Sequence, residues 1–271
     1  MRVLVVALAL SLVGCAPQQS LPTTTATGNN AQMAAVLAMR GSIHRHTGNL
    51  PAALADFDAA LNLRPEFPEV LSERCIVKGR MNASESAAAD CDAALRINPR
   101  LVGGYAARAE LRMRLGNTLG AQEDLNEIIR LAPDRANARS LRAAIRITQR
   151  DFTGALDDAN AVIRLEPNNA NAYDLRAMVK RLLNDNAGAM ADSNRAIQLK
   201  PDVASFYVNR GSLRLAQGNS AAAIDDFTKA IQLEPNNSEA YQNRGRAHAL
   251  RGDQANAVAD LDKAVSLGRR T

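Results

Sequence analysis

The chain has no tryptophan, and aromatic residues make up only 3% of its 271 positions. One globular core of that length would normally be filled with larger side chains. The shortage points instead to thin layers of closely packed, alanine-rich helices. Cysteine is scarce too: Cys15, Cys75 and Cys91 are the whole supply, too few for a disulfide-built scaffold. Net charge is only +5 with the signs interspersed. No Lys/Arg block and no basic stretch interleaved with aromatics is present, which argues against a nucleic-acid partner. Also missing are a glycine-rich phosphate loop, an HExxH pair and a nucleophile motif. The expectation is therefore no enzyme, no catalytic residue and no cofactor. His44 and His46 are two residues apart, which splays them around a helix, and His248 is remote, so no metal site is expected. The one long apolar run, Val3 to Val13 broken by Ser11, is too short for a bilayer, which needs about 20 helical residues.

What the chain does contain is a period. Pro65, Pro99, Pro133, Pro167, Pro201 and Pro235 stand 34 residues apart, the mark of an array of like supersecondary units. Counting from them gives seven units, 34–67, 68–101, 102–135, 136–169, 170–203, 204–237 and 238–271. Positions within a unit are called slots 1–34, with the proline at slot 32. Each unit reads as two helices, A over slots 2–14 and B over slots 17–30, with the proline ending B. Slots 15 and 16 form the turn: Gly48-Asn49, Gly116-Asn117, Gly218-Asn219 and Gly252-Asp253 supply a left-handed glycine and then a capping side chain. Asn184-Asp185 can do the same, Arg150-Asp151 keeps only the cap, and in Asn82-Ala83 the expected cap moves to Ser84.

Slot 20 is alanine in every unit (Ala53, Ala87, Ala121, Ala155, Ala189, Ala223, Ala257). Slot 8 is small throughout (Gly41, Cys75, Ala109, Ala143, Ala177, Gly211, Gly245), and slot 4 carries Tyr105, Tyr173, Tyr207 and Tyr241, with Arg139 the plain departure. This pattern resembles the tetratricopeptide repeat (TPR) family over 34–271. The resemblance implies an all-α, right-handed superhelical solenoid of seven helix-turn-helix units. The commonest form of that repeat has Leu at slot 7 and Tyr at slot 23. Here slot 7 is Arg40, Arg74, Arg108, Arg142, Arg176, Arg210 and Arg244, and slot 23 is Asp56, Asp90, Asp124, Asp158, Asp192, Asp226 and Asp260. One Arg and one Asp per unit suggest a bidentate pair between the helices. A device repeated in every layer serves register rather than ligand choice. Slot 11 adds a second cationic row, His44, Lys78, Arg112, Arg146, Lys180, Arg214 and His248, whose stems are expected to cover apolar surface with their heads in water.

The same resemblance places a concave groove along the A helices at slots 2, 5, 9, 12 and 13. Its candidate binding residues are Arg45, His46, Arg80 and Arg114 toward the start, and Ile147, Met178, Arg181, Leu182, Leu215 and Leu250 further on. A groove that turns from basic to apolar suits a peptide-like segment with an acidic end and an apolar end. Cys75 and Cys91 occupy slots 8 and 24 of one unit. Two readings stand for them: a disulfide, as an oxidising compartment allows, or two buried thiols in slots that want small residues.

Leu12-Val13-Gly14-Cys15 resembles a bacterial lipobox. That implies a signal peptide over 1–14, removed by cleavage, and lipid on Cys15, with Ala16 in the position that directs such proteins to the outer membrane. Residues 15–33 hold the lipidated Cys and then a Pro-, Thr-, Gln- and Asn-rich stretch that reads as a flexible tether. In unit seven Val258, Leu261 and Val265 lie at slots that would pack on a further helix, which suggests a homodimer through the C-terminal repeat. Taken together, the expectation is an outer-membrane lipoprotein facing the periplasm that scaffolds other envelope proteins. It looks like the TPR lipoproteins that dock peptidoglycan enzymes or assist pilus assembly. The alternatives are a non-catalytic structural spacer, or the substrate-binding part of an envelope enzyme.

Overall fold

The computed structural model describes residues 26–268. The expected signal peptide (1–14), the expected lipid site Cys15 and the tether up to residue 25 lie outside them, as do residues 269–271 of the last unit. Among the described residues there are fourteen helices and no strand. The A helices are α1 (Ala26–His46), α3 (Pro68–Arg80), α5 (Val102–Arg114), α7 (Ala136–Thr148), α9 (Ala170–Leu182), α11 (Ala204–Ala216) and α13 (Ser238–Leu250). The B helices are α2 (Leu50–Leu63), α4 (Ser84–Ile97), α6 (Thr118–Leu131), α8 (Phe152–Leu165), α10 (Asn186–Leu199), α12 (Ser220–Leu233) and α14 (Gln254–Gly268). Each A helix packs on its own B, and each B on the next A, as in a solenoid. No described helix is long and apolar enough to cross a membrane.

One boundary differs from expectation. Residues 26–33, assigned to the tether, form the first two turns of α1. Ala34 is buried just beyond them, so packing nucleates the helix. Extending it N-terminally then adds one hydrogen bond per residue without a new nucleation cost.

The turns follow a single rule. Slot 15 is left-handed in all seven units: Gly48, Gly116, Gly218 and Gly252 have φ of 74–82°, and Asn82, Arg150 and Asn184 have φ of 62–63°. Arg150 thus adopts the glycine conformation with a long side chain, at a cost of about 1–2 kcal/mol. Asn49, Asn117, Asp151, Asp185 and Asn219 then cap the B helices through their side chains. Unit two departs from this and from the expected Ser84 cap. The N-cap is Ala83, which has no side-chain acceptor, and Ser84 is already helical.

Slot 8 faces slot 24 within a unit, and where slot 24 is Phe slot 8 is Gly. A Cβ added to Gly41 would come within 2.6 Å of Phe57, and one on Gly211 within 2.7 Å of Phe227. Of the other units, four carry Ala109 with Leu125, Ala143 with Ala159, Ala177 with Ser193, and Gly245 with Leu261 at these slots. In unit two the slots hold Cys75 and Cys91, joined as a disulfide with their Cα atoms 5.5 Å apart. The bridge takes the place that Gly and Phe fill in units one and six. It staples α3 to α4 in the unit whose B helix lacks a capping side chain.

Between units the contact also repeats. Leu125 packs in one cluster with Ala138 and Ile145, and Phe227 packs with Ala240 and Ala247. Slot 24 of one unit therefore meets slots 3 and 10 of the next. The same clustering joins Phe57 to Val70 and Val77.

Candidate protein-binding groove

The Arg and Asp of slots 7 and 23 pair in every unit. Arg142 donates from Nε and Nη2 to Asp158 at 2.8 and 2.6 Å, and Arg176 to Asp192 at 2.8 and 2.7 Å. Arg40–Asp56, Arg74–Asp90, Arg108–Asp124, Arg210–Asp226 and Arg244–Asp260 pair likewise. All seven aspartates are buried. A lone carboxylate there would be costly, and two-point donation from guanidinium offsets the loss of water.

The slot-11 row does not reach water as expected. Lys78, Arg112, Arg146, Lys180 and Arg214 each lie 2.8 Å from the second oxygen of the same aspartate. One helical turn separates slots 7 and 11, so both cations converge on one carboxylate, a geometry visible only once helix B is in place. His44 is 3.9 Å from Asp56, and His248 turns instead to Asp253 at 3.1 Å. At Asp192 burial pushes the carboxyl upward, but hydrogen bonds from Arg176 and Lys180 outweigh it and hold it below its ordinary range.

Each arginine also reaches back across the seam between units. Nη1 of Arg74 meets Asp58 at 2.7 Å, of Arg108 meets Asp92 at 2.8 Å, and of Arg142 meets Asn126 at 2.8 Å. Arg176, Arg210 and Arg244 find Asn160, Asn194 and Thr228. The acceptor is always slot 25 of the preceding unit. Tyr105, Tyr173 and Tyr207 donate to the carbonyls of Pro99, Pro167 and Pro201 while their rings lie against the slot-7 arginines. Arg139 replaces tyrosine in unit four and donates to the Pro133 carbonyl in its stead, so the clamp survives the substitution.

The groove itself differs from its sequence expectation at the basic end. Arg45 donates to Glu73 on α3 at 2.6 Å, and Arg80 to Glu110 on α5 at 3.1 Å. These cations bridge neighbouring A helices and are not free for an acidic ligand. His46 bonds the Ser42 carbonyl, and Arg114 lies exposed, 3.4 Å from Asn82. Further along, Ile147 is half-buried on the Ala143 and Val179 cluster, Leu182 and Leu215 are half-buried, and Leu250 is exposed. Met178 and Arg181 come together with Asn209, Ser212 and Glu239 around a small notch of about 130 Å³. Nearby, Asn209 donates to both oxygens of Asp174, at 3.1 and 2.9 Å. Burial raises the Asp174 carboxyl above its ordinary range, and the Asn209 bond only partly opposes this.

A larger opening than this notch was not anticipated. No Cα pair between α5 and α7 comes within 8 Å, whereas α3 and α5 pack together. The gap holds a cavity of about 460 Å³ with Ala106, Ala109, Met113, Leu125, Ile128 and Leu141 as apolar lining. Glu110, Asp134, Arg135, Asn137 and Glu166 also line it. The readable signal was in the glycines. Gly79 lets α3 and α5 close, since a Cβ on it would lie 3.2 Å from Leu111 on α5, and Gly104 lets α5 approach α4, where a Cβ would lie 2.9 Å from Leu95. The α5–α7 seam has Met113 and Leu141 instead. Among the described residues no group of His, Cys, Asp or Glu could hold a metal ion.

The chain is similar to the crystal structure of a tetratricopeptide repeat protein from Parabacteroides merdae, with TM-score 0.70 and 21% identity over 88% of this chain and 94% of that one. It is also similar to pilF of Pseudomonas aeruginosa, with TM-score 0.70 and 14% identity over 80% and 99%. A third likeness is YrrB, described as a TPR protein with an unusual peptide-binding site, with TM-score 0.51 and 19% identity over 65% and 91%. At these identities the likeness is one of fold. No curated protein matches the chain. Residues 106–170 and 208–270 match the family model of the tetratricopeptide repeat, so repeats of this kind are detected in those two stretches, and the likeness to solved structures extends the shared fold over most of the chain.

Proposed function

We propose that this chain is a non-catalytic scaffold that binds other cell-envelope proteins through its concave groove, anchored by lipid on Cys15 to the periplasmic face of the bacterial outer membrane. The observation that carries the binding role is the cavity between α5 and α7. An apolar floor with polar groups among its lining is the make-up of a site that seats one side chain and orients the main chain around it. With Arg45 and Arg80 already paired, the partner segment is anchored by an apolar residue rather than an acidic end. Asp134 and Glu166 at the cavity favour donors beside that residue. A peptide-binding site is described for the similar protein YrrB, and the lipobox-like Leu12-Val13-Gly14-Cys15 supports the anchor.

A photo-crosslinking residue at Met113 tests the groove in cells. Capture of one defined envelope protein, abolished by Leu141→Arg with the melting temperature unchanged, is the expected result. No capture, or equal capture from the exposed Leu119 on α6, would leave the chain a spacer. The anchor is tested separately: Cys15→Ser should release the protein from membranes and abolish palmitate labelling, and persistence of both would refute it.

A further inference from the structure

The two ends of the array present the two halves of its own internal seam. On α1, Val36, Met39 and Ile43 are 61%, 69% and 58% exposed. Val36 and Ile43 occupy slots 3 and 10. In the six later units those slots are buried against the preceding unit, as at Val70 and Val77, Ala172 and Val179, and Phe206 and Leu213. Unit one therefore carries the surface of an internal unit, and no described residue covers it. At the other end, Leu261 at slot 24 is 40% exposed, while the same slot is buried in every earlier unit, from Phe57 to Phe227. Val258 and Val265 extend that apolar strip along α14.

Charge supplies an independent match. At all six internal seams the slot-7 arginine donates Nη1 to slot 25 of the unit before it. Among the described residues Arg40 on α1 pairs only with Asp56 of its own unit, through Nε and Nη2, and its side chain is 61% exposed. Asp262, slot 25 of the last unit, is exposed on α14 with no partner among the described residues. One end thus has the unused donor and the other an unused acceptor of opposite charge.

The geometry points to a second copy of this chain as the occupant of both ends. The α14 face of one copy docks on the α1 face of the next, Leu261 meets Val36 and Ile43, and Asp262 accepts from Arg40. The contact is head-to-tail, so it generates an open filament or a ring rather than a closed dimer. It differs from the homodimer expected from the C-terminal repeat alone in placing the surface complementary to α14 on α1. It does not depend on what the groove binds.

Sedimentation of the purified full chain at rising concentration tests this. Wild type should grow in mass beyond a dimer. Asp262→Arg and Ile43→Arg alter opposite ends at exposed positions. Each should raise the concentration needed for association by about tenfold or more, with helicity and melting temperature unchanged. Mixed in equal amounts, they should form a capped heterodimer, since one retains the head and the other the tail. Three outcomes overturn the proposal. A wild-type chain that stays monomeric would mean that something else, such as residues 1–25, covers α1. Loss of association in only one variant would mean a like-with-like dimer. A mixture that remains monomeric would mean the two ends do not meet.

Discussion

The seam between α3 and α5 and the seam between α5 and α7 share a helix and a common clamp, yet one is shut and the other holds a cavity. In both, an arginine reaches back to slot 25, Arg108 to Asp92 and Arg142 to Asn126, each at 2.8 Å. In both, slot 24 of one unit packs on the next, Cys91 with Leu111 and Leu125 with Ile145. The clamp therefore sets how a B helix joins the following unit, but it does not set how closely successive A helices approach. That distance belongs to the groove side chains. Gly79 removes one at the first seam, and Arg80 to Glu110 draws the helices together. At the second, Met113 and Leu141 stand in the gap. A repeat protein can keep one energetic framework and still open a site at a chosen layer.

The largest break in this comparison should come from the clamp. Asp158→Ala leaves Arg142 and Arg146 without their carboxylate and should cost about 3–5 kcal/mol, read by urea unfolding. A loss under about 1 kcal/mol would mean that the buried pair contributes no more than a surface one. Unit two is stapled, so the second effect is specific to the closed side. Replacing Cys75 and Cys91 by alanine, which opens a link spanning 16 residues, should cost about 3 kcal/mol. Reducing agent should lower the melting temperature of wild type and leave the double variant unchanged.

The seams themselves are compared by adding volume to each. Gly79→Val forces a side chain toward Leu111 across the α3–α5 seam and should cost about 1–3 kcal/mol. Ala106→Leu points into the open cavity and should change stability by no more than about 0.5 kcal/mol while blocking partner capture. Equal losses at the two positions would show that the cavity does not persist in solution.

The smallest effect is a difference in pH response between two carboxylates. Asp174 is held above the ordinary value of 3.8, chiefly by burial. Its charged form is disfavoured in the fold, so it withdraws stability as pH rises from 3.8 through its raised value. Asp174→Asn should therefore stabilise at neutral pH, by about 0.5 kcal/mol, and lose that advantage below 3.8, the ordinary value. Asp192 is held below 3.8 by Arg176 and Lys180 against its burial. Its stabilisation is present above 3.8 and lost as pH falls through its lowered value. Thermal melts across pH 3–7 of Asp174→Asn and Asp192→Asn should shift in opposite directions at the neutral end, and parallel shifts would contradict both assignments.

Much of this was legible in the residues. The proline period located thirteen of the fourteen helices to within a residue or two, because slot 15 must turn left-handed and slot 32 cannot continue a helix. The start of α1 was not legible, since Asn29 and Asn30 read as tether and only packing beyond Ala34 makes them helical. The pairing of slots 7 and 23 could be read from charges that recur together. The convergence of slot 11 on the same aspartate could not, because a lysine or arginine stem reaches water or a carboxylate equally well until the facing helix is placed.

The sequence by itself determined the repeating unit, its turns and the Arg–Asp clamp, since each follows from local backbone preference or from residues repeated at one period. Only the tertiary structure decided where the groove opens, which of its charges are already paired, and that the two ends match each other. These are relations between residues in different units, and a residue's free valence is visible only when its neighbours in space are counted. Arg40 and Asp262 carry the same side chains as their counterparts Arg108 and Asp92 inside the stack, and they differ in having no adjoining unit among the described residues.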